Sequence, residues 1–241
     1  MYLTQFSSLP PESAEKESFE DELKHLRKEL FDLQNVMYAD GRYAMLIVLQ
    51  GMDASGKDST VRHVMSNMNP MGVRVKPFKK PSEEEMKHDF LWRVVPHFPE
   101  KGIIQVFNRS YYEDILVPGV YNLVDEGVLN QRYRLINEME QHLINSNIIV
   151  LKCFLHISRT EQEERFNERM EKPYKRWKYS ADDRKTAQKW DEFQRAYQNV
   201  IQRCNVVPWN VIPADKKWYR DVVFGRLLVN QLKSLHLKYP G

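Results

Sequence analysis

Several things are missing from these 241 residues, and each absence closes off a class of explanation. There are only two cysteines, Cys153 and Cys204, far apart and each in an apolar or helical setting. A disulfide framework is thereby implausible, and both read as buried thiols in a reducing cytoplasm. Neither Cys nor His occurs at a metal-ligand spacing, and there are no internal repeats. No segment approaches the length of a membrane span, and the opening stretch MYLTQFSSLPPESAEKES carries no basic-then-apolar signal pattern. Charge of one sign is not in excess: 36 Lys and Arg face 33 Asp and Glu, a net charge of +3. Nothing global therefore demands nucleic acid or a membrane as partner. What remains fits a soluble globular protein, long enough for one large α/β domain or for a core with an inserted subdomain.

The most informative stretch is Met45 to His63, MLIVLQGMDASGKDSTVRH. A buried apolar run ends at Gly51, Gly56-Lys57 follows, and the polar Asp58-Ser59-Thr60 can open a helix. Strand, glycine-bounded loop and helix start, in that order, make a phosphate cradle. Glycines let the backbone curl so that successive N–H groups point inward, the helix start adds partial positive charge, and a lysine reaches the outer phosphates. Gly51, Ala54, Ser55, Gly56, Asp58 and Ser59 are the expected phosphate-binding residues of this loop. The match to G-x-x-x-x-G-K-[ST] fails only at its last position, where Asp58 replaces the hydroxyl that normally ligates Mg²⁺.

The rest of the chain alternates strand and helix patterns. An amphipathic helix is predicted from about 13 to 38, on the spacing of Leu23, Leu26, Leu30 and Leu33. After the loop comes a helix from about 58 to 68, then a strand over 73–78. Ser82 to Glu85 forms a capping box that should open another helix. Strands over 103–107, 148–154 and 209–212 follow, with helices predicted over 128–145, from Thr160 through Arg165 and Arg169, over 182–204, and after Asp215. This pattern predicts a single P-loop kinase-like α/β domain over 1–241, a parallel sheet covered by helices on both faces. Residues 1–40 form an N-terminal extension and helix, and 165–190 a lid insertion. Within the lid, KPYKRWKYSADDRKTAQK (172–189) interleaves seven Lys and Arg with Tyr174, Trp177 and Tyr179. Such a run is either a solvated face or, beside a phosphate loop, a lid that closes on an anion and excludes water.

Phosphoryl transfer needs in-line placement and cations to offset charge on the moving group. Lys57 supplies one cation and the planar guanidinium of Arg109 another; Asn108-Arg109-Ser110 ends the third strand, where a parallel sheet presents its ligand. Asp53 and Asp58 either hold Mg²⁺ or, for Asp53, cap the loop. Glu113 and Asp114 are either metal or acceptor contacts or a surface acidic pair. His63, His88 and His97 are taken as structural, so transfer should be direct. The residues alone support a P-loop phosphotransferase. An ATP-dependent nucleoside or nucleoside-monophosphate kinase, or a polyanion-binding module without turnover, are the competing readings.

A resemblance narrows this. VLQGMDASGKDSTVRHVMSNMNPMGVRV, HDFLWR, VFNRSYYEDILV, KRWKYSADD and VPWNVIPADKKWYRDVV together resemble the family-2 polyphosphate kinases, most of all class III, over about residues 20 to 235. The resemblance implies direct transfer between inorganic polyphosphate and adenine or guanine nucleotides with Mg²⁺, AMP going to ADP and ADP to ATP, in a homo-oligomer (dimer or tetramer). By position, Asp53 and Lys57 join the Walker A block, and Asn108-Arg109 the Walker B block. Arg165, Arg169, Lys175, Arg176 and Lys178 would grip polyphosphate, while Asn108, Glu113 and Asp114 would face the acceptor nucleotide. Two departures stand out. Asn108 replaces an aspartate of class I, which shifts metal binding to Asp53, Asp58 or Asp114. Ser59 stands where class III more often has glycine, which predicts local backbone strain.

Overall fold

The computed structural model describes residues 2–178 and 181–241. Its centre is strand β1 (Ala44–Gln50), buried at every position because sheet covers both its edges and helices both its faces. Five parallel strands run in the order β2-β3-β1-β4-β5, with β2 Val73–Pro77, β3 Ile104–Asn108, β4 Ile148–His156 and β5 Trp209–Pro213. The register pairs Leu49 with Asn108 on one side and Gln50 with Phe154 on the other. The loop after β1 and the Asn108-Arg109 step after β3 therefore leave the sheet at the same edge.

Eight α-helices are described: α1 Lys16–Asp40, α2 Lys57–Val64, α3 Glu113–Val120, α4 Glu126–Asn145, α5 Arg159–Glu171, α6 Ala181–Gln188, α7 Trp190–Arg203 and α8 Lys217–Lys233. The chain leaves β1 towards the β2 edge and leaves β3 in the opposite direction. Right-handed crossovers then place α2 on one face and α3–α4 on the other. Accordingly α1 and α2 pack with α8, and α3 packs with α4 and α7. The α1–α8 contact buries Leu23, Leu26 and Leu30 and is fastened outside by the bidentate Arg226–Glu22 pair at 2.6 Å. Phe78, Phe98 and Phe107 fill the layer beside β3, with the Phe78 and Phe107 rings edge-to-face at 4.9 Å.

Some elements differ from their sequence patterns for identifiable reasons. The capping box forms in both directions between Ser82 and Glu85, yet only a 3₁₀ turn follows, Glu85–Lys87. Asp89 then takes the Leu91 N–H with its own carboxylate and starts a new turn instead of continuing a helix. Helix α3 is not evident in the sequence because Pro118 lies inside it. Pro118 cannot donate to the Asp114 carbonyl, and Arg132 Nη1 supplies that hydrogen bond at 2.5 Å. The segment expected as one helix over 182–204 is two, α6 and α7, joined at Lys189. The cap of α5 is Ser158, not Thr160: its hydroxyl accepts from the Glu161 N–H at 3.1 Å.

Candidate active site

The loop from Gly51 to Gly56 joins β1 to α2 and is built around two constrained glycines. A Cβ on Gly51 would stand 2.7 Å from the Leu155 carbonyl, and one on Gly56, whose φ is +101°, would stand 1.9 Å from Arg220 Nη1. Between them Ala54 holds a left-handed φ of 63°. Arg109, at the end of β3, does the same at 62°, and such backbone strain in non-glycine residues concentrates where a site demands it. Ser59 escapes the strain expected of it. It lies in the first turn of α2 without positive φ, and its hydroxyl donates to the Gly56 carbonyl at 2.9 Å. A helical turn has no need of glycine there.

Four charged side chains meet at this edge. Lys57 Nζ folds back over the loop and donates to the carbonyls of Gly51 and Met52 at 2.7 and 3.1 Å. Two of its three protons are so occupied, leaving one for an incoming oxygen. Burial, with Arg109 beside it, pulls the Lys57 pKa down to about 8 against the opposing pull of Asp53, Glu113 and Asp58. Arg109 Nη2 donates to Asp53 Oδ1 at 2.5 Å. Burial alone would raise the Asp53 pKa, but Arg109 and Lys57 outweigh it and keep that carboxylate below its ordinary range. Burial likewise opposes the charge on Arg109, and Asp53 and Glu113 more than restore it. At the half-buried Glu113 burial prevails over Arg109 and Lys57, and the pKa is raised. Asn108 donates its side-chain amide to the exposed carboxylate of Asp58.

Other expected site residues lie elsewhere or are otherwise engaged. Asp114 forms an ion pair with Arg93 at 2.9 Å and is largely buried, so it is neither a free acceptor contact nor one half of a surface acidic pair. Arg165, expected to grip polyphosphate, is buried and bonded to Glu161 and to the carbonyls of Ala54, Ser55, Ala214 and Asp215. It is a strut under the loop. Along the expected lid, Lys175 pairs with Glu168 at 2.8 Å and Arg176 Nε donates to the Met170 carbonyl at 3.0 Å. Arg169 lies over the Phe166 ring, and its charge reaches Asp53. Tyr174 and Trp177 are exposed. The side chain of Lys178 and all of Tyr179 lie outside the described residues.

Three further side chains contribute that stand in no recognisable sequence pattern of the site. Gln162 on α5 donates to the Asp53 carbonyl at 2.8 Å, and Arg220 on α8 packs against Gly56. Tyr197 on α7 brings a buried phenol to the patch; burial, then Glu113 and Asp53, push its pKa well above the ordinary value. Only Arg220 left a signal, a charged pair with Asp221 set against the apolar run Val222-Val223-Phe224.

Comparison with known proteins places this arrangement. The family described as Polyphosphate kinase 2 (PPK2) matches residues 13–239. The chain belongs to the polyphosphate kinase 2 family. An AMP/ADP-polyphosphate phosphotransferase of Meiothermus ruber is 44% identical over 227 residues, covering 93% of this chain and 85% of that protein. An ADP-polyphosphate phosphotransferase of Rhodopseudomonas palustris is 40% identical, covering 93% and 83%. The crystal structure of polyphosphate kinase 2 from Arthrobacter aurescens superposes with a TM-score of 0.96 at 35% identity, over all of this chain and 88% of that one. As a polyphosphate kinase 2 the chain is an α/β enzyme of phosphoryl transfer, and the cluster around Lys57 is its candidate centre.

Proposed function

We propose that this protein transfers a phosphoryl group directly between inorganic polyphosphate and a nucleotide, taking AMP to ADP and ADP to ATP with Mg²⁺, in the manner of class III. The observation that carries this reading is the convergence of Lys57, Arg109, Asp53 and Glu113 at one sheet edge, beside a loop that can cradle phosphate. The names of the relatives, several of which specify AMP or ADP, supply the substrate class. Lys57 and Arg109 are cations fixed in a partly dry site, where they offset charge spreading over the transferred group at little reorganisation cost. Asp53 holds Arg109 in place. Glu113 lies within the field of both cations and faces the acceptor side.

Among the described residues no group of three or more His, Cys, Asp or Glu is assembled to cage a metal. That suits Mg²⁺, which takes one or two carboxylates and completes its octahedron with water and phosphate oxygens. Asp53 and Asp58 would hold it, and when bound it supplies charge neutralisation at the phosphates. The basic residues Arg169, Lys175, Arg176 and Lys178 suit a flexible polyanion held by replaceable contacts, so polyphosphate affinity should fall steeply with salt. The same reading carries a homo-oligomer, dimer or tetramer, which light scattering of the purified protein would check.

The test is nucleotide chromatography after incubation of the protein with Mg²⁺ and AMP or ADP, with polyphosphate or ATP as donor. ADP and ATP formed from AMP only when polyphosphate is present is the expected result. Turnover with ATP alone would move the protein to the ATP-dependent nucleotide kinases, and no turnover with either donor would overturn the reading.

A further inference from the structure

The phosphate loop is gripped from behind by three side chains on two helices. Gln162 Nε2 donates to the Asp53 carbonyl at 2.8 Å. Arg165 Nη1 donates to the carbonyls of Ala54 and Ser55 at 2.9 and 3.0 Å, and Arg220 Nη1 to that of Ser55 at 3.3 Å. In a planar trans peptide the carbonyl and the following N–H point opposite ways. Drawing the Asp53 and Ser55 carbonyls backwards therefore turns the N–H groups of Ala54 and Gly56 to the front, where a phosphate would lie.

Arg220 is the least expected member. It is fully buried, yet its charge is already compensated: Nε and Nη2 donate to Asp221 Oδ1 at 2.9 and 2.6 Å, and Asp221 Oδ2 accepts from His63 Nδ1 at 2.8 Å. A guanidinium so neutralised adds little field for attracting phosphate. What it offers is direction. Its Nη2 also donates to Ser59 Oγ at 3.1 Å, and Ser59 Oγ in turn donates to the Gly56 carbonyl at 2.9 Å. The same guanidinium occupies the space that a Cβ on Gly56 would need. Arg220 thus touches the loop at Ser55 and Gly56 and the first turn of α2 at Ser59, while Asp221 and His63 brace it from behind.

We propose that Arg220 is a positioning residue for phosphoryl transfer, fixing the Ser55 carbonyl and the Ser59 hydroxyl so that the loop N–H groups meet the phosphate in line. The inference rests on the phosphotransfer reading. It also gives Ser59 a task that a glycine at that position could not perform, as relay between Arg220 and the loop.

The experiment compares the parent with Arg220→Lys and Ser59→Ala. Lysine keeps the charge beside Asp221, but a compact ammonium cannot span the carboxylate and the loop as a planar fork does. Arg220→Lys is expected to lower kcat about ten- to hundredfold, since small misplacements cost that much, with nucleotide KM held within about threefold. Tripolyphosphate affinity without nucleotide, read by calorimetry, should fall about fivefold or more while the thermal midpoint stays within a few degrees. Ser59→Ala should lower kcat and tripolyphosphate affinity in the same direction by about two- to fivefold, with no thermal shift. A folded Arg220→Lys protein with kcat and tripolyphosphate affinity within about twofold of the parent overturns the assignment. Should Arg220→Lys fail to fold, unchanged values in Ser59→Ala overturn it and reduced ones sustain it. A parent inactive with polyphosphate would sink the phosphotransfer reading instead, and tripolyphosphate affinity would still judge Arg220.

Discussion

Two clusters of charge meet along the segment 108–113, and they are built to opposite ends. In the first, Lys152 of β4 and Glu140 of α4 form an ion pair at 2.7 Å, both side chains wholly buried. Every Lys152 proton is used, on Glu140, on Tyr112 Oη at 3.0 Å and on the Cys204 carbonyl at 3.0 Å. Tyr111 and Tyr112 both donate to Glu140 Oε1, at 2.9 and 2.6 Å. In the second, Arg109 and Asp53 pair at 2.5 Å with their side chains 35% and 15% exposed, and Lys57 keeps a proton to give. The first cluster is complete without a ligand and the second is not. Since Tyr111 and Tyr112 directly follow Arg109-Ser110, the complete cluster anchors the chain that carries the incomplete one. Stability and chemistry are thereby assigned to neighbouring residues of one segment.

Either cluster can be taken apart by substitution. Removing one partner of the sealed pair should have the largest effect on the fold. Glu140→Ala leaves a buried ammonium and two phenols unmatched and should destabilise the protein by about 3–5 kcal/mol in urea titration. The double variant Glu140→Leu with Lys152→Met should recover the part of that loss due to the unpaired ammonium, while the Tyr111 and Tyr112 hydroxyls stay without their acceptor. On the open side, Lys57→Ala removes a buried charge that costs the fold stability near neutral pH, so the urea midpoint should not fall, while kcat should drop by about 10²–10³, the range for removing one preorganised electrostatic contact. A rise in KM with kcat intact would instead assign Lys57 to ground-state binding. Arg109→Lys should cost less, about tenfold in kcat, because charge survives while the fork that spans Asp53 and a phosphate oxygen is lost.

The open cluster was far more legible in the sequence than the sealed one. Gly51, Gly56-Lys57 and Asn108-Arg109 stand in local patterns whose chemistry depends on spacing, and the parallel order of β1 and β3 follows from the alternation of strand and helix. Glu140 and Lys152 occupy an amphipathic helix and an apolar strand where a single charge reads as surface. Only the three-dimensional approach of α4 to β4 reveals the pair. Arg165 shows the opposite error: the resemblance sets it in a lid that grips polyphosphate, yet the backbone carbonyls of two loops claim it. Pro118 hid α3 for a related reason, since the compensating donor, Arg132, comes from the next helix.

The subtlest test uses pH, because burial and the neighbouring Arg109 pull the pKa of Lys57 down into an accessible range. In the free protein Lys57 loses its proton at about 8, while in the unfolded chain it keeps it to the ordinary value of 10.5. Between those values the unfolded state binds more protons, so this lysine makes the folded state gain stability as pH rises. Below that window Lys57 is protonated in both states, and its contribution no longer changes with pH. Catalysis should move the other way, because the transferring group requires the cation. In a profile of kcat/KM, which reports the free enzyme, activity should bend downward above about pH 8. In a profile of kcat the bend should come at higher pH, because a bound polyanion adds negative charge beside Lys57 and favours its protonated form. Lys57→Arg, which cannot lose its proton in this range, should abolish the bend in whatever activity it retains. Coincident bends in the two profiles, or a bend that survives in Lys57→Arg, would place the titrating group elsewhere in the molecule.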